Sequence, residues 1–172
     1  SYAPSVIKDG ATYEMWYTGQ SPGSGSRIIF ANSTDGINWN NHQMVVDIGE
    51  EGTYDTDFVQ YSTIVKDNGE YNMWYSGYDG SAIRIVYCNS SDGITWSNHQ
   101  LSVDTSAEGT YDTTHSYTPS VLTDNSVHKM WYSGYSDTNR IIYAEEDTCP
   151  SGMVSYWTFD DEDLSGSTVT DT

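Results

Sequence analysis

Hydrophobic and polar residues alternate with a period of two along most of the chain, as in β-strands that are buried on one face. One face of the clearest predicted strand carries Tyr13, Met15 and Tyr17, and the other face carries Trp16 and Thr18. Asp-Gly and Asn-Gly dipeptides, which favour tight turns, separate the alternating runs. Because helical periodicity is nearly absent, the pattern predicts an all-β protein.

The chain contains an internal repeat. The sequence Met-Trp-Tyr begins at Met15, Met73 and Met130, with spacings of 58 and 57 residues. Other motifs keep this period: Arg-Ile-Ile/Val at 27, 84 and 140, Asp-Gly-Ile-x-Trp at 35–39 and 92–96, and Gly-Thr-Tyr-Asp at 52–55 and 109–112. Each unit holds up to four predicted strands. Repeats of this length with frequent Gly and aromatic residues predict a β-propeller-like array of four-stranded antiparallel blades.

We predict four segments, with about three blades in all. Blade repeats occupy residues 1–59 and 60–116, a partial third repeat without its fourth strand occupies 117–150, and a different C-terminal segment occupies 151–172. Closed propellers usually have about four to eight blades, so the array is incomplete within this chain. Further blades of the same polypeptide or another chain would complete it.

The repeated motifs resemble those of a known group of enzymes. Tyr-x-Pro-Ser-Val, Met-Trp-Tyr-Ser-Gly, Arg-Ile-x-Tyr-Ala and Ser-x-Asp-Gly-Ile-x-Trp are similar to blade motifs of five-bladed propeller glycosidases and phosphorylases, the arabinanase, fructosidase and mannoside-phosphorylase group. The resemblance implies that catalytic carboxylates converge on a central channel. In the arabinanase branch one of them is an Asp directly before the Pro of the innermost strand. Ala3, Tyr61 and Thr118 occupy that place here, which argues against catalysis by these units.

Three other acids are the candidates for an enzymatic role: Asp55, Asp112 and Glu145. Asp55 and Asp112 precede the innermost strand at matching positions. Because they recur identically, we predict that they share a structural role in a turn or at a strand end. Glu145 differs, since the other repeats have no acid at its position.

The many aromatic residues have two explanations. Trp16, Trp74 and Trp131 lie at equivalent strand positions and are predicted to form the core between blades. Tyr78 and Tyr135 follow Ser-Gly at the end of the same strand. They are candidate carbohydrate-binding residues, because tyrosine rings on an open face can stack against sugars, but a core role is an equal alternative.

The C-terminal segment departs from the blade pattern. Residues 152–161 resemble the opening strand of concanavalin-A-like, laminin-G-type jelly-roll domains. A strand donated to a neighbouring molecule and a tail on the surface are the alternatives. Asp160, Asp161 and Asp163 form a weak candidate Ca²⁺ site, with solvated surface charge as the other interpretation.

Two further pairs of residues bear on the cellular setting. Cys88 and Cys149 are candidates for a disulfide between adjacent units. Asn32 and Asn89 begin N-glycosylation sequons at equivalent strand ends, although the Asp-Gly turn motif also produces such triplets by chance. Both features fit an extracellular or cell-surface protein.

Charge excludes several functions. The 172 residues include 25 Asp and Glu against 6 Lys and Arg, a formal net charge of −19. Such a chain lacks the basic patch that nucleic-acid binding requires and would be repelled by an anionic membrane. No apolar run reaches the roughly 18 residues of a membrane span, so membrane insertion is not expected.

The sequence leaves two functions open. The first is a non-catalytic extracellular repeat module with a structural or binding role at the cell surface, in which self-association builds an oligomer or filament. The alternative is a fragment of a secreted multidomain glycoside hydrolase-like or lectin-like protein that binds polysaccharide. The predicted partners are accordingly copies of the chain, further domains of the same polypeptide, or a polysaccharide.

Overall fold

A computed structural model of the chain describes residues 1–21, 23, 25–107, 110–146 and 157–159. All regular secondary structure in these ranges is β-strand, arranged in three antiparallel sheets of four strands. The predicted all-β, blade-like architecture is confirmed. No helix in the described ranges is long and apolar enough to cross a membrane.

Each sheet is one blade, with its strands side by side in chain order. Blade 1 contains β1 (Tyr2–Asp9), β2 (Thr12–Ser21), β3 (Gly25–Ser33) and β4 (Asn40–Val46). Blade 2 contains β5 (Phe58–Asp67), β6 (Glu70–Tyr78), β7 (Ile83–Ser90) and β8 (Ser97–Val103). Blade 3 contains β9 (His115–Asp124), β10 (Val127–Tyr135), β11 (Asn139–Glu146) and β12 (Trp157–Phe159).

The third blade has a fourth strand, so the prediction that this unit ends without one is wrong. Residues Trp157–Phe159 pair antiparallel with β11, with Phe159 opposite Ala144 and Trp157 opposite Glu146. The repeat pattern could not reveal this strand, because the Asp-Gly-Ile-x-Trp motif that precedes β4 and β8 is missing before β12. These three residues of the C-terminal segment pair with blade 3, while the rest of the predicted jelly-roll start or donated strand lies outside the described residues.

Two hydrophobic cores lie between the blades in the described part of the chain. The first joins blades 1 and 2 around Trp16 and Met73, and the second joins blades 2 and 3 around Trp74 and Met130. The central strand β6 is accordingly buried on both of its faces from Tyr71 to Gly77. Blade 2 thus holds the other two blades in place by apolar packing on each side.

The equivalent tryptophans differ in burial. Trp16 is 0% and Trp74 is 1% exposed, as predicted for residues between blades. Trp131 is 38% exposed, so its predicted place in an inter-blade core is wrong for the described structure. The reason is position, since blade 3 is the last described blade and nothing described covers its Trp131 face.

An aspartate closes the turn before each repeated fourth strand. The Asp35 Oδ1 atom accepts the backbone N–H groups of Ile37 and Asn38, both at 2.8 Å. Because these N–H groups serve the turn, β4 begins only at Asn40. The motif therefore has a structural role, in which an Asp side chain closes its own turn.

The second copy of the turn also fits closely against blade 1. The Asp92 Oδ1 atom accepts backbone N–H groups from Thr95 at 2.7 Å and Ile94 at 2.8 Å, and these bonds lower the pKa of Asp92 to about 2. Gly93 has φ +73°, and a Cβ there would lie 2.9 Å from a ring carbon of Trp16. Only glycine satisfies both the left-handed backbone and this close approach.

The Asp92 turn should make part of the stability depend on acid pH. The folded pKa of about 2 lies below the ordinary value of 3.8, so the stabilisation is complete above the ordinary value and is lost as pH falls toward 2. We expect Asp92→Ala to lower the free energy of unfolding by about 1 kcal/mol at pH 7, allowing for the exposed setting. Urea titrations at pH 7 and near pH 2 measure this difference, which should shrink at low pH. An unchanged difference, or an equal effect of Asp67→Ala, would contradict the assignment.

Candidate functional site

The three innermost strands share an unusual backbone conformation at one position. Ala3, Tyr61 and Thr118 have φ values of 51°, 55° and 52°, in the left-handed region that non-glycine residues seldom adopt. The strand pairing shifts register at the same place in each blade. Strained residues of this kind cluster at functional sites and persist only where the surrounding structure enforces them.

The three strained positions meet at one cavity of about 260 Å³. Each inner strand contributes the strained residue and the next two residues. The lining is Ala3, Pro4, Ser5, Tyr61, Ser62, Thr63, Thr118, Pro119 and Ser120. These side chains are small, hydroxylated or aromatic, and none of the nine is ionisable at neutral pH. The cavity is therefore a neutral site, where bound molecules would meet hydroxyl groups and a tyrosine ring.

Polar aromatic residues flank this cavity on the inner strands. The Tyr2 hydroxyl donates to Gln60 Oε1 at 2.9 Å, and the Tyr2 and Tyr61 rings lie 5.5 Å apart at 55°. The equivalent residue of blade 3, Tyr117, donates its hydroxyl to Asn139 Oδ1 at 2.5 Å. The repeat pattern does not predict the Tyr2–Gln60 pair. The available signal was the alignment of Tyr2, Gln60 and Tyr117 directly before the strained residue of each repeat.

Tyr78 and Tyr135 lie where the second strand of each blade ends beside the start of the inner strand. The Tyr78 ring stacks on Phe58 with centroids 4.8 Å apart, and the Tyr135 ring stacks on His115 at 6.0 Å. Phe58 precedes Tyr61 by about 10 Å of strand. Tyr135 is 36% exposed and Tyr78 is half-buried. Their predicted contact with carbohydrate stays a prediction, and their stacking partners orient both rings.

Asp55 occupies a buried structural position away from the cavity. It is 3% exposed and accepts hydrogen bonds from the Tyr75 hydroxyl at 2.6 Å and the Thr53 hydroxyl at 2.8 Å. Burial, with added repulsion from the Asp55 carboxylate, raises the pKa of Tyr75, so the phenol stays protonated as the donor. His99 also contacts the Tyr75 hydroxyl, through Nδ1 at 3.0 Å.

Asp112 repeats this arrangement between blades 2 and 3. It is 2% exposed, and its carboxylate accepts the Tyr132 hydroxyl at 2.7 Å and the Ser116 hydroxyl at 3.3 Å. The two acids thus sit in equivalent surroundings and fasten the loop between blades to the next blade.

Glu145 is different, since it lies on the third strand β11 and accepts the Tyr143 hydroxyl at 2.6 Å. None of the three lines the inner-strand cavity.

The remaining candidate residues lie elsewhere. Cys88 is buried in the core between blades 1 and 2, and Cys149 falls outside the described residues, as do Asp160, Asp161 and Asp163. The proposed disulfide and Ca²⁺ site therefore stay predictions.

The two sequon asparagines bond to neighbouring side chains. Asn32 accepts from Asn41 at 2.9 Å, and Asn89 donates to Glu70 at 2.7 Å. Glycosylation of Asn89 would leave its side-chain nitrogen one N–H in place of two. The predicted modification at these two positions remains untested.

Known proteins resemble the chain in part. No family model matches it. The uncharacterized protein Rv1502 of Mycobacterium tuberculosis is 33% identical over 141 residues, in a match that covers 76% of the chain and 45% of the relative. The chain thus spans about half the length of the curated relatives that it matches.

Solved structures of glycoside hydrolases share the fold. Zg3597, a family 117 glycoside hydrolase of the marine bacterium Zobellia galactanivorans, superposes with a TM-score of 0.74 at 15% identity, covering 84% of this chain and 52% of that enzyme. A family 32 β-fructofuranosidase from Bombyx mori superposes with a TM-score of 0.66 at 15% identity, covering 91% and 36%. The predicted resemblance to propeller glycoside hydrolase blades is confirmed at the level of fold.

The buried position of Asp55 predicts a large stability effect. We expect Asp55→Ala to lower the free energy of unfolding by about 3 kcal/mol, because the buried Tyr75 hydroxyl loses its charged acceptor. Asp57→Ala is the matched control, since Asp57 is exposed and should change stability by less than about 0.5 kcal/mol. Urea denaturation gives both values, and a double-mutant cycle with Tyr75→Phe isolates the pair. Equal effects of the two alanine variants would refute the structural role.

Proposed function

We propose that this chain is part of a carbohydrate-binding β-propeller and that its sugar contacts lie where the three inner strands meet. The observation that carries the proposal is the neutral cavity of about 260 Å³ between those strands, with Tyr61 in its lining. Sugars present both C–H faces, which pack on aromatic rings, and hydroxyl groups, which pair with neutral hydroxyl and amide groups. Tyr2 and Gln60 supply such groups beside the cavity.

The fold supports the same proposal. Zg3597 and the Bombyx mori β-fructofuranosidase are enzymes that act on glycosides, and both share this blade arrangement. A shared fold at this identity does not carry an activity with it. The proposal of sugar binding therefore rests on the residues of the cavity. The likeness in fold supports the location of the site.

The same residues favour binding over bond cleavage by these blades. Glycosidic hydrolysis usually needs two carboxyl groups beside the scissile bond. The lining has Ala3, Tyr61 and Thr118 where the arabinanase resemblance implies one such acid. Asp55 and Asp112 are engaged with buried tyrosine hydroxyls instead. We accordingly assign these blades to substrate or glycan recognition.

The assembly role predicted from the sequence has less support. It rested on an unfinished third blade and a detached C-terminal strand, and β12 now completes that blade. A secreted or cell-surface location suits a protein that recognises polysaccharide, and it remains a prediction.

The proposal predicts that tyrosines near the inner strands control glycan affinity. In the full natural polypeptide, we expect Tyr61→Ala and Tyr135→Ala to weaken binding about tenfold, which corresponds to about 1.4 kcal/mol. Isothermal titration with soluble arabinan, levan and β-mannan measures the change. Tyr54→Ala is the control, because Tyr54 is 37% exposed, close to the 36% of Tyr135, but lies on the loop between blades.

Three results are informative in this experiment. Loss of affinity at Tyr61 alone would place the sugar in the cavity, and loss at both tyrosines would extend the contact to the ends of the second strands. An equal loss for Tyr54→Ala would refute the location. No binding by the unaltered polypeptide to any of the glycans would overturn the proposed recognition of these polysaccharide classes.

A further inference from the structure

Ser62 carries a buried hydroxyl group that no other described group satisfies. The residue is 7% exposed, and its Oγ atom makes no hydrogen bond within the described part of the chain. Such a group disfavours the folded state, because it gives up its hydrogen bonds to water and gains none in return. Buried polar groups in native proteins are usually paired, so this exception needs an explanation.

The other buried or half-buried hydroxyl groups of serine and threonine around the cavity are engaged. Ser5 and Thr63 each accept a backbone N–H of the next blade, at 3.1 Å and 3.4 Å. The Thr118 hydroxyl donates to a serine of its own blade at 2.8 Å. Ser62 differs from these three residues, because its hydroxyl can still donate one hydrogen bond and accept others.

The backbone at Ser62 suits a proline. The strand pairing skips Tyr61 and Ser62, which form a bulge in β5. Pro4 and Pro119 occupy the place of Ser62 in the other two blades. Because proline has no N–H, the strand ladder needs no donor at this position. Proline would also stiffen the unfolded chain, so serine is the less stable choice both in its backbone and in its unpaired hydroxyl.

The position of Ser62 at the cavity points to a ligand as the reason for this choice. Ser62 and its neighbour Tyr61 both line the cavity of about 260 Å³ between the inner strands. Adjacent side chains of a regular strand point to opposite faces, but a bulge changes that alternation. A serine side chain has one torsion, with staggered positions about 120° apart. Rotation about this one bond moves Oγ and leaves the backbone in place.

We propose that Ser62 is a specificity-determining residue of the glycan site, and that its hydroxyl turns into the cavity to exchange hydrogen bonds with a hydroxyl of the bound sugar. This inference rests on the proposed carbohydrate binding. A sugar hydroxyl donates and accepts, as the Ser62 hydroxyl does. Binding therefore satisfies a group that is unpaired in the free protein, while the adjacent Tyr61 ring packs on the C–H groups of the same ligand.

This arrangement selects among glycans. A sugar that has no hydroxyl group facing Ser62 leaves the serine unpaired, and sites with an unsatisfied polar group discriminate strongly against such ligands. Pro4 and Pro119 offer no side-chain hydrogen bond at the equivalent positions. The three blades therefore contact different parts of one ligand, and blade 2 provides the hydroxyl recognition at this position.

The test compares stability with affinity in the full natural polypeptide. Urea denaturation measures the folding equilibrium constant, and isothermal titration with soluble arabinan, levan and β-mannan measures binding. We expect Ser62→Ala to raise the folding equilibrium constant about fivefold, because an unpaired buried hydroxyl is removed. We expect the same variant to weaken glycan binding about tenfold. A residue with only a structural role would not lose affinity while the protein gains stability.

A second variant and a matched control accompany this measurement. Ser62→Pro introduces the residue that the other two blades have, so it should fold, gain stability and also bind glycan more weakly. Ser90→Ala is the control, since Ser90 is 4% exposed but lies outside the cavity. Its hydroxyl donates to Asp92 Oδ1 and accepts the Gly93 N–H, both at 2.9 Å. Ser90→Ala should therefore lower stability and leave glycan binding unchanged.

The outcomes separate this inference from the proposed function. If the unaltered polypeptide binds one of the glycans and Ser62→Ala binds it equally well, the role of Ser62 is refuted and glycan binding stands. A loss of stability in Ser62→Ala as large as in Ser90→Ala would also refute that role, because the Ser62 hydroxyl would then have a partner in the free protein. Failure of the unaltered polypeptide to bind any of the three glycans would overturn the proposed function and this inference together.

Discussion

Beside the apolar cores, each of the two covered blade interfaces depends on one repeated hydrogen bond, in which a blade holds the strained inner-strand residue of the next. A left-handed conformation disfavours Tyr61 and Thr118 by roughly 1–2 kcal/mol relative to ordinary strand geometry. Thr18 and Ser76 accept the N–H groups that this conformation turns away from the strand ladder. A buried N–H without a partner would be destabilising by a similar amount. The Thr18 and Ser76 hydroxyls therefore stabilise the strained backbone of the next blade.

This constraint also links the fold to the cavity. The residues whose N–H groups face the preceding blade, Tyr61 and Thr118, are the residues that line the space between the inner strands. Because the backbone is turned at these points, the side chains take positions that a regular strand would give to their neighbours. The hydroxyl of a buried threonine on a different blade thus positions a tyrosine of the candidate site.

The repeat allowed much of the fold to be predicted from the sequence. Period, strand alternation and Asp-Gly turns are local signals, and Asp35 and Asp92 act within their own turns. Contacts between repeats are not local, so the pairing of Tyr2 with Gln60 could not be read from either segment alone. Trp131 is exposed because no described blade packs against it. Strand periodicity does not encode which element lies beside a given strand.

Identical residues in a repeat can also be separated by function once their surroundings are known. Asp55 and Asp112 have the same partners in kind, a buried tyrosine hydroxyl and a nearby hydroxyl side chain. Each acid fastens the loop between two blades to a buried tyrosine of the next blade, which suits a repeated structural role. The inner-strand positions behave in the opposite way, since Ala3, Tyr61 and Thr118 share a backbone conformation but carry three different side chains. Variation on a fixed backbone is what a recognition surface needs, because each blade can then contact a different part of one ligand.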